Sequence, residues 1–395
     1  MENLTSHIRS AATMLAQLNS KSLPRGDAQA IRMRILAEMS SLEEQRLALS
    51  IATDDMDTSI ERTMVDKEDP SAAVFAEDWN AKRERIRRGS VWGNLPGWEL
   101  CSVIVKSDAE MEEAGSQLIS GLKRIWKNDG VDVWLRQYNP LPPPNNNHFP
   151  HTRDKGAEMC VCRMNVLVTS NGYGLIETIT GAMSIHSIKK ALTSTFTDET
   201  GRTRTKYGTL KDHFLQKFGP EKSPTYTTAQ QNFIRSLAGY SMATYILNLK
   251  DRHNGNILID EQGHIVHIDF GFFLSNSPGH GMAFELSPFK LTADYLAIIG
   301  SHFPLYMQLV KAAFLSVRRN VEEFVVLVEL LQRESKLPSF ALGEGTVVAL
   351  RGRLKLELRE KEAEGWVDGL VERSRGSAWT RGYDLYQALV NGIRP

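Results

Sequence analysis

Cysteine is scarce in this sequence: Cys101, Cys160 and Cys162 are the only three in 395 residues. Three thiols cannot build a disulfide framework and suit a reducing compartment. Long apolar runs are missing as well. No stretch approaches the roughly 18 uninterrupted apolar residues of a membrane span, and the opening MENLTSHIRSAATMLAQLNS lacks the apolar core of a secretory signal. A cytosolic protein is expected, with any membrane contact peripheral. Charge of one sign is not in excess, because 47 Lys and Arg balance 47 Asp and Glu. No global field draws the chain to nucleic acid, and none is expected as a partner. What the chain does have is length, with 42% apolar residues over 395 positions, enough for two packed lobes.

Residues 1 to about 66 place apolar side chains at helical spacing (Ile31, Ile35, Leu36, Met39, Leu42) around a Pro24-Arg25-Gly26 break, and read as two helices of a support or linker segment. After the basic run RERIRR comes the Gly- and Pro-punctuated GSVWGNLPGW, and then LCSVIVK alternates as a strand does. A helix is expected over Asp108 to Trp126, followed by a strand in VDVWLRQY. From Asn139 the polar, proline-rich PLPPPNNN begins an insertion, about 139–163, with no means of regular structure. MNVLVTS and GLIETIT flank Asn171-Gly172, a hairpin signal. Gly181 opens a mostly helical region broken by a polar loop from about Asp198 to Lys206, and the chain from Leu291 reads as helical to its end. No internal repeat is evident. The coarse expectation is α+β: a sheet-containing first lobe over 66–180 and a mainly helical second lobe over 181–395.

The segment NLKDRHNGNILIDEQGHIVHIDFGFFLSNSPG, residues 248–279, carries the chemistry. Two short apolar strands surround the turn Asp260-Glu261-Gln262-Gly263, giving the order loop, hairpin, loop. An enzyme that moves a phosphoryl group from ATP needs hard oxygen ligands for Mg²⁺ from two adjacent loops, and a group near the attacking hydroxyl. Asn256 and Asp269 are the candidate ligands, and the hairpin between them fixes their separation. Asp251 stands five residues before Asn256, the interval of the protein-kinase catalytic loop. Lys106 ends the strand VIVK, where a cation can reach phosphates, and Glu112 on the following helix is placed to hold it by an ion pair.

Protein kinases place His before Arg-Asp, whereas this chain reads Asp251-Arg252-His253. In that inversion it resembles the phosphoinositide kinases. DRHNGN, HIDFGF and SNSPG, with GSVWGNLPGW, SVIVK, SIHSIKK, PFKLT and the terminal YDLYQALVNGI, look most like the type III beta phosphatidylinositol 4-kinases. The resemblance spans roughly residues 66–395 apart from the insertion. It implies a two-lobed kinase fold and transfer of the γ-phosphate of ATP to the 4-hydroxyl of phosphatidylinositol. The cofactors would be ATP with Mg²⁺, or Mn²⁺ in its place. A peripheral contact with an intracellular membrane, the Golgi by resemblance, and protein adaptors are implied too. A protein Ser/Thr kinase of the related class and a catalytically silent kinase-fold scaffold are the alternatives.

By the same resemblance Ser90 and neighbouring amides cradle phosphate, Ile179 presents backbone groups to adenine, and either Tyr138 or Met164 takes the place of an adenine-pocket tyrosine. Asp251 and His253 compete as proton acceptor from the lipid hydroxyl, since an Asp does this in protein kinases while His titrates nearer neutrality. Arg252 is expected to be structural or to clamp the carboxylates. No Lys or Arg occurs between Asp269 and Phe289, which leaves His280 and Lys290 as the basic residues for a headgroup and fits an inositol ring without added phosphates. His148, His151, Cys160 and Cys162 fit no standard zinc spacing. Tyr383, Tyr386, Leu389, Val390 and Ile393 form a helical stripe suited to membrane docking.

Overall fold

The computed structural model describes residues 79–96, 98–100, 102–107, 109–140, 163–170, 173–197, 203–277 and 287–395. The two helices expected before residue 66, His280 and the His148, His151, Cys160 and Cys162 group lie outside these. The chain divides into two compact units, the larger comprising Cys101–Ser194, Tyr207–Pro278 and Glu285–Pro395.

The basic helix α1 (Trp79–Gly89) belongs to the smaller unit. In the larger one, β1 (Val103–Ser107) is followed by α2 (Ala109–Asn128), and a four-stranded sheet forms in the order β1-β4-β3-β2, with β2 (Gln137–Pro140), β3 (Arg163–Ser170) and β4 (Tyr173–Glu177). The Asn171-Gly172 hairpin signal is matched by its flanks, because β3 and β4 pair antiparallel with Ser170 opposite Tyr173. The α2 helix buries Met111, Ala114, Leu118, Ile119, Leu122, Ile125 and Trp126, a three-four spacing that turns one stripe to the core.

Two expectations need correction. VDVWLRQY is not a strand along its length: regular pairing begins at Gln137, and Val131–Arg136 runs extended across a long helix, where Trp134 N–H donates to the Arg235 carbonyl (3.2 Å) and Leu135 is buried. Asn139 and Pro140, assigned to an irregular insertion, instead end β2, which pairs parallel with β3. The strand order makes β2 an edge strand, where a proline costs no ladder bond. Tyr138 and Met164 are register partners there.

Strand β5 (Ala182–Ser184) leads into α3 (Ile185–Leu192), whose first turn is capped by the Ser184 hydroxyl accepting from Ser187 N–H. Within the expected polar loop, β6 (Ser194–Thr197) and β7 (Thr203–Lys206) pair as a two-stranded ribbon of the smaller unit. Helix α4 (Leu210–Phe218) opens with a capping box of Thr209 and Asp212. Helix α5 (Pro224–Leu247) starts with Ser223 as cap and Pro224 in the first turn, and ends with Asn248 in the left-handed region (φ 51°). Fifteen of its 24 residues are buried, so it runs through the core and not over it.

Strands β8 (Ile257–Asp260) and β9 (Ile265–His267) complete a three-stranded sheet in the order β5-β8-β9. Their turn is tightened by the Asp260 carboxylate, which accepts from Gln262 and His264 N–H, and by Gly263 at φ 88°. The chain then continues through α6 (Ala293–Ile299), α7 (Phe303–Arg319), α8 (Val321–Gln332), α9 (Glu344–Leu354), α10 (Glu360–Ser374) and α11 (Ala378–Asn391). This is the expected α+β, kinase-like arrangement: a small sheet backed by one helix, then a helical body.

Candidate active site

The site is assembled by short-range folding around β8 and β9. Ile257 pairs with His267, and one step further the Ile268 N–H donates to the Asn256 carbonyl at 3.0 Å. Asn256 therefore stands beside the residue that precedes Asp269. On the far side, Lys250 N–H donates to Phe272 O (3.0 Å) and Asn248 Nδ2 to Leu274 O (2.9 Å), so the 248–256 loop and the segment after Asp269 run side by side. Both Asp251 (φ 62°) and Asp269 (φ 61°) occupy the left-handed backbone region. Non-glycine residues are held there only where the surroundings over-determine the conformation.

Three charges meet next to this hairpin. Lys106 Nζ lies 2.7 Å from Asp269 Oδ1 and 3.1 Å from Glu112 Oε2. Glu112 is 2% exposed and its Oε2 also accepts the Phe270 N–H at 2.9 Å. Burial alone would lower the pKa of the Lys106 ammonium, but Glu112 and Asp269 outweigh it and hold the group above its ordinary value. Burial would likewise raise that of Asp269; the charge and hydrogen bond of Lys106, with Arg252 and the Gly271 N–H, keep it below the usual carboxylate range.

In the preceding loop, Asn256 Nδ2 donates to the Asp251 carbonyl (3.0 Å) and to its Oδ2 (3.3 Å). His253 Nδ1 accepts from Gly255 N–H (3.1 Å), which puts the proton of the neutral ring on Nε2, 3.7 Å from Asp251 Oδ1. The His253 pKa is lowered by burial, helped by the charges of Arg252 and Lys290 and opposed by that of Asp251. Arg252 is 4% exposed and donates to the carbonyls of Lys250 and Ile268 (both 2.8 Å) and Asp269. It grips the backbone of both loops through these carbonyls, and its charge also acts on the Asp269 carboxylate.

The sequence pattern of the phosphatidylinositol 3- and 4-kinases matches residues 101–341, which contain both loops and the Lys106–Glu112 pair. The chain belongs to this family. It is 43% identical over 411 residues to phosphatidylinositol 4-kinase pik1 of Schizosaccharomyces pombe, an alignment covering 99% of this chain and 45% of that protein. It is 37% identical to phosphatidylinositol 4-kinase PIK1 of Saccharomyces cerevisiae, over 99% of this chain and 35% of that one. Against phosphatidylinositol 4-kinase beta of Xenopus tropicalis it is 36% identical, over 83% of this chain and 36% of the relative. The chain thus spans less than half the length of these relatives.

Not every candidate of this phosphatidylinositol 3- and 4-kinase domain joins the cluster. Ile179 follows β4, half-buried, in the link to β5 that begins where Thr178 N–H donates to Ser102 O (2.8 Å). Ser90 lies in the turn after α1, in the smaller unit, where its Oγ accepts from Trp92 N–H (3.3 Å). Lys290 is a correction to the expected headgroup contact. Its ammonium is buried against Asp384 Oδ1 at 2.5 Å, the two side chains 4% and 8% exposed, so its charge is spent inside the fold. Sequence reasoning missed Tyr383 of α11, whose hydroxyl donates to Asp251 Oδ1. The signal available was the polar row Tyr383, Gln387 and Asn391 at helical spacing, which the membrane-stripe reading passed over.

Proposed function

We propose that this chain carries the catalytic domain of a phosphatidylinositol 4-kinase, transferring the γ-phosphate of ATP to the 4-hydroxyl of phosphatidylinositol. The carrying observation is the convergence of Asp251, Asn256 and Asp269 with the Lys106–Glu112 pair, in a chain whose relatives bear that name. No helix among the described residues is long and apolar enough to cross a membrane. By family resemblance alone, we extend the proposal to peripheral contact with an intracellular membrane, the Golgi. We also assign the lobe boundary to the link around Gly181.

In this reading Lys106 turns to the ATP phosphates and Glu112 keeps it aimed. The Asp269 carboxylate and the Asn256 amide oxygen are hard donors that fit Mg²⁺. The ion, when bound, neutralises charge on the transferring group. Asp251 takes the proton of the attacking hydroxyl as the oxygen–phosphorus bond forms and the bond to the ADP oxygen breaks. His253 is the weaker candidate acceptor, since Nδ1 is engaged by Gly255 and Nε2 carries its proton toward Asp251. Ile179 lines the adenine end.

The test is ATP turnover with phosphatidylinositol in detergent micelles against a generic protein substrate, with the product's phosphate position determined. Lipid-dependent turnover giving the 4-phosphate is expected, and a folded Asp269→Ala variant should lose about a thousandfold of it. Equal or better phosphorylation of protein, or turnover by Asp269→Ala near that of the parent, would overturn the assignment.

A further inference from the structure

Four residues form a polar row from the C-terminal helix to the catalytic loop. Asn391 Nδ2 donates to Gln387 Oε1 (2.6 Å), Gln387 Nε2 donates to the Tyr383 hydroxyl oxygen (2.8 Å), and the Tyr383 hydroxyl donates to Asp251 Oδ1. The three helical members are four residues apart and so share one face of α11. Each bond sets the direction of the next. With Asn391 on its oxygen, Gln387 presents its NH₂ to Tyr383, and with that donor on the phenol oxygen, the hydroxyl hydrogen is left to point at Asp251. Tyr383 is 6% exposed and Gln387 likewise 6%.

We infer that Tyr383 is a positioning residue for phosphoryl transfer: its hydroxyl, braced by Gln387, holds the Asp251 carboxylate in the orientation from which it accepts the substrate proton. This inference rests on the kinase reading above. A carboxylate oxygen has two lone-pair sites, so Oδ1 can receive a second donor, and the Asp251 side chain keeps 20% of its surface open. Asn256 holds the other oxygen; Tyr383 supplies the second point that fixes the carboxylate plane.

The alternative is that the phenol occupies the place of the substrate hydroxyl and must withdraw. The fastening of α11 argues against it. Lys290 and Asp384 pair in the interior, Asn254 Nδ2 donates to Arg394 O (2.9 Å), Arg394 N–H donates to His186 Nδ1 (2.8 Å), and Lys189 Nζ donates to Pro395 O (2.6 Å). Anchors at Asp384, next to Tyr383, and at Arg394 and Pro395 beyond the helix tie it and its tail to Lys290, to the loop and to α3. A helix held at that many points sets a geometry.

The experiment compares Tyr383→Phe and Gln387→Met with the parent chain on phosphatidylinositol in detergent micelles, which removes any contribution of bilayer docking. Tyr383→Phe keeps the ring, and kcat should fall about tenfold with KM for ATP unchanged and the thermal midpoint near that of the parent. Gln387→Met loosens the brace and should cost about threefold. In an Asp251→Asn background Tyr383→Phe should cost nothing further, because the two act through one carboxylate. Unchanged kcat would overturn the inference; raised kcat would mean the phenol blocks the substrate; an equal further loss without Asp251 would mean a general packing effect. If Tyr383→Phe does not fold, Gln387→Met decides: a kcat-only loss supports positioning and no loss overturns it. A parent chain silent on lipid would sink the kinase reading itself, and this is seen before any variant is compared.

Discussion

Glu112 and Phe270 are joined through the helix and not through the sheet: the Phe270 N–H donates at 2.9 Å to the same Glu112 oxygen that holds the Lys106 ammonium at 3.1 Å. One buried carboxylate oxygen therefore ties the end of β1, the first turn of α2 and the backbone just past Asp269. The position of Asp269 and the aim of Lys106 cannot shift independently, which couples the proposed metal side of the site to the proposed phosphate side.

Removing that oxygen should be felt in both. Glu112→Ala leaves a buried N–H and a part-buried ammonium without their shared acceptor, a loss of about 2–3 kcal/mol of stability. KM for ATP should rise about tenfold, since Lys106 loses its aim while Asp269 can still engage it. Chemical denaturation read beside ATP titration checks both. A variant with unaltered stability would mean that water replaces the carboxylate without cost.

The stretch Phe270–Phe289 contains no Lys or Arg, and the one lysine just beyond it, Lys290, is consumed by Asp384. Each headgroup phosphate brings about −1.5 to −2 charges that need cationic partners. Unphosphorylated phosphatidylinositol should therefore be turned over at least about tenfold faster than phosphatidylinositol 3-phosphate or 5-phosphate, which keep a free 4-hydroxyl. Rates compared at matched lipid mole fraction decide it, and parity would mean that the headgroup finds its cations elsewhere.

The two facing loops were legible because their logic is local. Asn256 and Asp269 are separated by one hairpin, and β8–β9 pairing fixes their spacing from sequence neighbours alone. Lys106 with Glu112 was readable for the same reason, being six residues apart across a strand-to-helix step. What escaped depends on distant partners. Lys290 looks like a free cation until Asp384, 94 residues on, folds against it. Tyr383 looks like one apolar residue of a stripe until its hydroxyl meets Asp251, 132 positions back. The stripe itself divides in the fold, with Tyr383 inward and Val390 55% exposed. Val131–Arg136 alternates like a strand but crosses α5, so its polar groups are met by Arg235 O and the Tyr240 hydroxyl and not by a neighbouring strand.

Stability should fall in mild acid through His213 on α4, whose pKa is lowered to about 4 by burial and by the charge of Lys217. Between about pH 6.5 and pH 4 the unfolded chain binds a proton here that the folded chain refuses. Stability therefore rises with pH through this window and is lost as pH falls through it, by about 2 kcal/mol after allowing for partial exposure. His213→Gln cannot be protonated and should flatten this part of the curve. Thermal midpoints measured at pH 7, 6, 5 and 4.5 check it; parallel curves for the two proteins would assign the acid loss to other groups.

The last expectation concerns Gly115, on the same helix as Glu112. A Cβ built there would lie 2.5 Å from the Cβ of Phe270 and 3.2 Å from its Cγ, well inside van der Waals contact. Phe270 is fully buried, so its ring cannot move aside into solvent, and the missing side chain at position 115 is what lets α2 lie flat against it. Gly115→Ala should be favourable on helix propensity, by about 1 kcal/mol, yet overpacking costs about 1–3 kcal/mol, so the net change is a loss of up to about 2 kcal/mol. The catalytic effect should exceed the stability effect. Displacing Phe270 stretches its N–H from Glu112 and drags the adjoining Asp269, and a misplacement near 1 Å at a reacting centre can cost about a hundredfold. We expect kcat for Gly115→Ala to drop by about tenfold or more in a protein that is still folded at 25 °C. Gly121→Ala on the same helix is the control: its Cβ would meet Leu327 Cδ2 at 2.5 Å, a flexible tip that can shift, and it should cost less stability and spare kcat. Equal kcat losses in the two variants would show that α2 transmits strain along its whole length and that the Gly115–Phe270 contact has no special hold on the site.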